Sequence, residues 1–83
     1  MQRQGTVALM DAQTGRFALN VEGGIYVLAE QLDAQPLQVG TSLSGQMELM
    51  GTETLIDTST ATRYGVNILA YDLSLEAVEQ ELR

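Results

Sequence analysis

Apolar and polar residues alternate with a period of two along most of this chain, the spacing of half-buried β-strands. Thr6 to Asp11 reads as a strand with Val7 and Leu9 on one face. Ala12-Gln13-Thr14-Gly15 follows as a hairpin turn, with Gly15 suited to its left-handed position. In the next segment, Arg16 to Glu22, Phe17, Leu19 and Val21 point one way and Arg16, Ala18 and Asn20 the other. Gly23-Gly24 offers a two-residue turn in which both positions can take positive φ. Ile25 to Glu30 then forms a third strand with Ile25, Val27 and Ala29 facing the core. These three segments predict a β-meander.

The alternation stops from Gln31 to Thr41, which holds Pro36, the single proline and a poor fit to a central strand or a helix interior. A helical reading of Tyr26 to Asp33 has Leu28 and Leu32 four apart, but Gly-Gly followed by Ile-Tyr-Val favours strand, then loop. Alternation returns at Ser42 to Met50, with Leu43, Gly45, Met47 and Leu49 on one face. A strand at Thr54 to Thr58 follows, then a loose connection, then Tyr64 to Leu73 with Tyr64, Val66, Ile68 and Ala70 together. Ser74 is placed to cap a short helix over Leu75 to Leu82, whose apolar stripe is Leu75, Val78 and Leu82. Glu76 in its first turn and Arg83 at its end suit the helix dipole.

Short strands, glycine turns and one terminal helix predict a single all-β domain over residues 1–83: a small antiparallel barrel of five to six strands with a short C-terminal helix. A Src-homology-type barrel, or a sheet closed by the helix, uses the same ingredients and differs in strand pairing. Gly5-Thr6-Val7-Ala8-Leu9-Met10-Asp11 echoes Gly51-Thr52-Glu53-Thr54-Leu55-Ile56-Asp57. The echo stops there, so shared turn chemistry explains it better than duplication.

Composition narrows the chemistry. Of 83 residues, eleven are acidic and four basic, for a net charge of −7; the basic ones are Arg3, Arg16, Arg63 and Arg83. Lys, His, Cys and Trp are absent. Disulfides, a zinc site with Cys or His ligands, and catalysis by His, Cys or Lys are therefore excluded. A chain this short buries only about 60–65% of its unfolded surface, so a partner or close packing is needed for robust stability. No apolar run reaches the roughly 18 residues of a membrane span. Met1-Gln2-Arg3-Gln4-Gly5 does not resemble a signal peptide, and the expected location is the cytoplasm.

Three stretches carry a resemblance: Gly5-Thr6-Val7, then Thr14-Gly15-Arg16-Phe17, then Leu37-Gln38-Val39-Gly40-Thr41-Ser42-Leu43-Ser44-Gly45. Together they resemble the OB-fold group of small barrels, cold-shock-like domains above all, over Gly5 to Leu73. In those domains, aromatics and lysines on the outer face of the second and third strands stack bases. The resemblance implies an OB-like barrel and, through Arg16, Phe17 and Tyr26, single-stranded nucleic-acid binding. The matching face here holds Ala8, Met10, Arg16, Ala18, Asn20, Tyr26 and Leu28. Only Tyr26 can stack there, at about 1–3 kcal/mol per base, while alternation turns Phe17 inward and the −7 charge opposes phosphate.

Other candidates are weaker. Glu76, Glu79 and Glu81 read as the solvated face of a helix, not as a catalytic cleft, so no enzyme is expected. Asp57-Thr58-Ser59-Thr60 lacks the ligand spacing of a calcium loop, and Gly23-Gly24 lacks the following helix of a phosphate cradle. No cofactor or metal is expected. Thr52, Thr54, Thr58, Thr60 and Thr62 read as the solvent side of an edge strand.

The informative residues are Met10, Tyr26, Leu28, Leu55, Leu69 and Tyr71, which fall opposite the core-facing sets. One small barrel has one interior, so either the terminal helix covers them or they form a contact surface. The expected function is a non-catalytic binding or assembly module, its partner a protein or a second copy. The expected contact surface is Met10, Arg16, Ala18, Tyr26 and Leu28.

Overall fold

β1 (Gln2–Asp11), β2 (Arg16–Glu22) and β3 (Ile25–Gln31) form the meander that the alternation and the two turns dictate. The computed structural model describes residues 2–82. Among them, β4 (Ser42–Gln46), β5 (Gly51–Asp57) and β6 (Arg63–Leu73) complete an antiparallel barrel in the order β1-β2-β3-β6-β5-β4. One helix, α1 (Leu75–Glu81), follows. β4 returns to β1, with Gln2↔Gln46 through Thr6↔Ser42 in register, so the barrel is closed by strand pairing and not by the helix. Arg83, expected at the helix end, lies outside the described residues.

The two hairpins at one end of the barrel explain the sequence echo. Asp11 Oδ1 accepts from the Gln13 N–H at 3.0 Å, and the Gly15 N–H donates to the Asp11 carbonyl at 2.9 Å. Asp57 Oδ1 accepts from the Ser59 N–H at 2.7 Å, and the Ala61 N–H donates to the Asp57 carbonyl at 2.9 Å. Thr14 and Thr60 each accept from the backbone N–H two residues on, at 3.3 Å. Gly15 closes its loop at φ +75°, whereas Ala61 takes the same role at +61°, where its Cβ is unfavourable.

The interior holds Val7, Phe17, Leu19, Val27, Ala29, Leu37, Leu43, Met47, Leu55, Tyr64, Val66 and Ile68. Phe17 and Leu19 point inward as alternation requires. The connection from residue 32 to 41 plugs one end with Leu37, and Tyr64 Oη donates to the Pro36 carbonyl at 2.9 Å. Gly45, at φ +151°, sits against β5: a Cβ there would lie 2.7 Å from Leu55 Cδ2 and 3.1 Å from the Thr54 carbonyl. β4 pairs with β5 only at Leu43↔Asp57 and Ser44↔Ile56, so this is the thinnest seam of the barrel.

Several residues depart from strict alternation, each for a local reason. The β1–β2 register shifts between Val7 and Leu9, which turns Leu9 outward and lets Met10 pack against the interior. A second shift, between Asn20 and Glu22, leaves Ile25 at the barrel mouth and 40% exposed. Shifts around Leu28 in the β3–β6 pairing place Ala70 on the outer face, away from Ile68. β4 ends at Gln46; Met47 still enters the core, but Leu49 is exposed in the turn to β5. Leu55, expected outside, is fully buried because β5 begins at Gly51 and aligns Leu55 with Tyr64. The threonine-rich segment faces solvent, but β5 is paired on both sides and is no edge.

Gly45→Ala forces Leu55 aside and is expected to cost about 2 kcal/mol or more. Ala61→Gly relieves a left-handed alanine and is expected to add about 0.5–1 kcal/mol. Urea unfolding of both variants, followed by circular dichroism, checks the two signs.

Candidate functional site

A second apolar cluster lies outside the barrel. Ala18, Tyr26 and Leu28 project from the outer face of β2 and β3 and are buried with Val78 of α1. Ala8, Leu9, Leu69, Ala70, Leu73 and Leu82 pack around them, partly buried. A seven-residue helix is not stable alone in water, so this docking holds α1 in place. Ser74 supplies the expected cap: its Oγ accepts from the Ala77 N–H at 3.1 Å. Leu75, expected in the docking stripe, is instead 43% exposed, and Val78 with Leu82 makes the contact.

The helix therefore divides the residues expected to form a contact surface. Ala18, Tyr26 and Leu28 lie beneath α1; Arg16 and Met10 stand on opposite sides of it. Phe17, the remaining nucleic-acid candidate, is fully buried in the interior. Tyr71 is exposed, at the barrel mouth with Ile25.

Two open grooves flank α1. The wider, about 700 Å³, has Leu28, Leu69, Ala70 and Leu73 as floor, with Arg16 and Glu81 among its lining residues. The narrower, about 490 Å³, is lined by Leu9, Met10, Glu79 and Leu82. Alternation alone misses Leu9 and Ala70. The signal that marks them is the unbroken apolar triplets Ala8-Leu9-Met10 and Ile68-Leu69-Ala70, where a bulge lets neighbouring side chains serve both layers.

Polar chemistry is sparse. Arg3 Nε donates to Glu48 Oε1 at 2.8 Å and Arg3 Nη2 to Glu48 Oε2 at 3.4 Å, tying β1 to the β4–β5 turn. The side-chain oxygen of Asn20, paired in register with Thr6 and Tyr26, is buried without a hydrogen-bond partner. Among the described residues, no group of three or more acidic side chains is arranged to hold a metal ion. No described helix is long and apolar enough to cross a membrane.

Asp33 anchors the plugging connection. Its Oδ2 accepts from the Gly65 N–H at 2.8 Å, and its Oδ1 from Gln31 Nε2 at 2.8 Å and the Gln35 N–H at 3.3 Å. Gln35 Nε2 in turn donates to the Arg63 carbonyl. The Gly65 hydrogen bond above all, then that of Gln31, holds the Asp33 carboxyl below the ordinary carboxylate value. That direction keeps it ionised at neutral pH and suits an anchor, not a proton donor.

Comparison with known protein families, with curated proteins and with solved structures gives no match.

Because the folded pKa of Asp33 is depressed, its contribution to stability is fully present above the unfolded value of about 3.9 and is lost as pH falls through the folded pKa. NMR titration of the Asp33 carboxyl is expected to give a midpoint below that of an unfolded-chain peptide. Asp33→Asn is expected to flatten the acid side of the stability–pH curve.

Proposed function

We propose that this chain is a non-catalytic binding module whose partner is a protein, engaged along the grooves beside α1. The observation that carries this reading is the pairing of apolar groove floors with an acidic helix. Leu28, Leu69 and Leu73 lie on one side of α1, Leu9, Met10 and Leu82 on the other, and Glu79 and Glu81 stand at the rims. A segment bearing apolar and basic side chains fits such a surface, and the net charge of −7 favours its approach. Of the residues expected to make contact, Arg16, Leu28 and Met10 line these grooves, while Ala18 and Tyr26 support α1 from below.

The closed six-stranded barrel is compatible with an OB-like ancestry, in which nucleic acid is a common ligand. Burial of Phe17 and Tyr26 weighs against that ligand here, since neither ring offers a free face to a base. The scarcity of perturbed carboxylates weighs against an enzyme in the same way.

Ala77 lines the wider groove and tolerates a long side chain on the helix. Ala77→Arg is expected to reduce capture of the cognate protein at least tenfold in a quantitative pull-down, with the circular dichroism spectrum unchanged. A Thr54→Arg control on β5 is expected to leave capture intact. Equal capture by both variants overturns the groove reading, and micromolar binding of a single-stranded oligonucleotide at low salt replaces it with the nucleic-acid one.

A further inference from the structure

The attachment of α1 has two unusual properties. Among the described residues, no hydrogen bond or ion pair ties it to the barrel: the Ser74 Oγ and carbonyl receive the Ala77 and Val78 N–H groups, and Leu82 N–H returns to Val78. Only side-chain packing holds it down, through Val78 and Leu82. The link to β6 is also short and strained. Ser74 alone separates Leu73 from Leu75, and two residues before it Asp72 sits at φ +57°. A non-glycine residue resists that conformation, which here reverses the chain so that α1 can fold back over its own barrel.

We propose that α1 exchanges between two copies of this chain. In the exchanged dimer, Asp72 relaxes to extended backbone, β6 runs on towards the neighbour, and Val78 and Leu82 of each copy seat on Ala18, Tyr26 and Leu28 of the other. The occupant is specified by fit, since a second copy supplies the segment that already fills this cluster. Every docking contact of the closed form is regained, and the strain at Asp72 is released twice, once per copy. Short hinges under strain favour this outcome. Opposing it is the high effective concentration of the tethered helix, of order mM, so the dimer belongs to concentrated protein. The exchange is separate from the partner reading above, because the grooves flank α1 whichever copy supplies it.

The test uses the wild-type chain, half isotope-labelled and half unlabelled, mixed while unfolded, refolded together and held at about 1 mM. Sedimentation is expected to show a dimer. Isotope-filtered NMR is expected to show contacts between Val78 of one copy and Leu28 of the other. Asp72→Gly, which removes the strain from the closed form, is expected to weaken the dimer by about tenfold or more. A monomer at this concentration overturns the proposal. So does a dimer whose Val78–Leu28 contacts are all within one chain, or one that Asp72→Gly leaves unchanged. The groove variant Ala77→Arg, read by capture of the protein partner, fails or succeeds independently of these results.

Discussion

β1 is paired along both edges, with β2 on one side and β4 on the other, and that double pairing closes the barrel. Closure removes the free strand edges on which small sheets aggregate. It also fixes a single narrow interior. An antiparallel strand has two faces, and in a closed barrel only one of them points inward. The apolar residues on the other face of β2, β3 and β6 therefore need separate cover. α1 provides it, and the chain becomes a two-layer object built on one barrel.

The second layer also governs the chemistry at the surface. By covering Tyr26, Leu28 and Ala18, α1 converts a flat apolar face into two narrower grooves edged by glutamates. The aromatic rings that might have served as stacking platforms become structural: Phe17 in the interior, Tyr26 beneath the helix. What the molecule presents is a mixed acidic and apolar surface. It carries no concentrated charge and no cleft around a perturbed acid.

Much of the architecture is legible in the amino-acid order. The meander, the Asp-x-x-Thr turns and the Ser74 cap are local features set by glycine, aspartate and alternation, and they stand where those residues require. Strand parity is less legible. One bulged residue reverses every side chain beyond it, so Val7 and Leu9 part company, as do Ile68 and Ala70. Leu55 was hidden for a related reason: its facing depends on where β5 begins, and threonines mark that start poorly. The candidate surface was legible in membership but not in exposure. Alternation identifies Tyr26 and Leu28 as outward; only tertiary packing shows that outward means beneath a helix.

The β4–β5 seam carries a mechanical consequence. The other five junctions of the barrel have longer registers, whereas this one rests on Leu43↔Asp57 and Ser44↔Ile56, with Gly45 pressed against Leu55. A hoop yields at its least-bonded joint, and local opening follows the regions with fewest protected backbone bonds. The weak direction of this molecule thus runs around its circumference, not along its axis. It opens on Met47 and Leu55, on the side of the interior away from the meander and its helix.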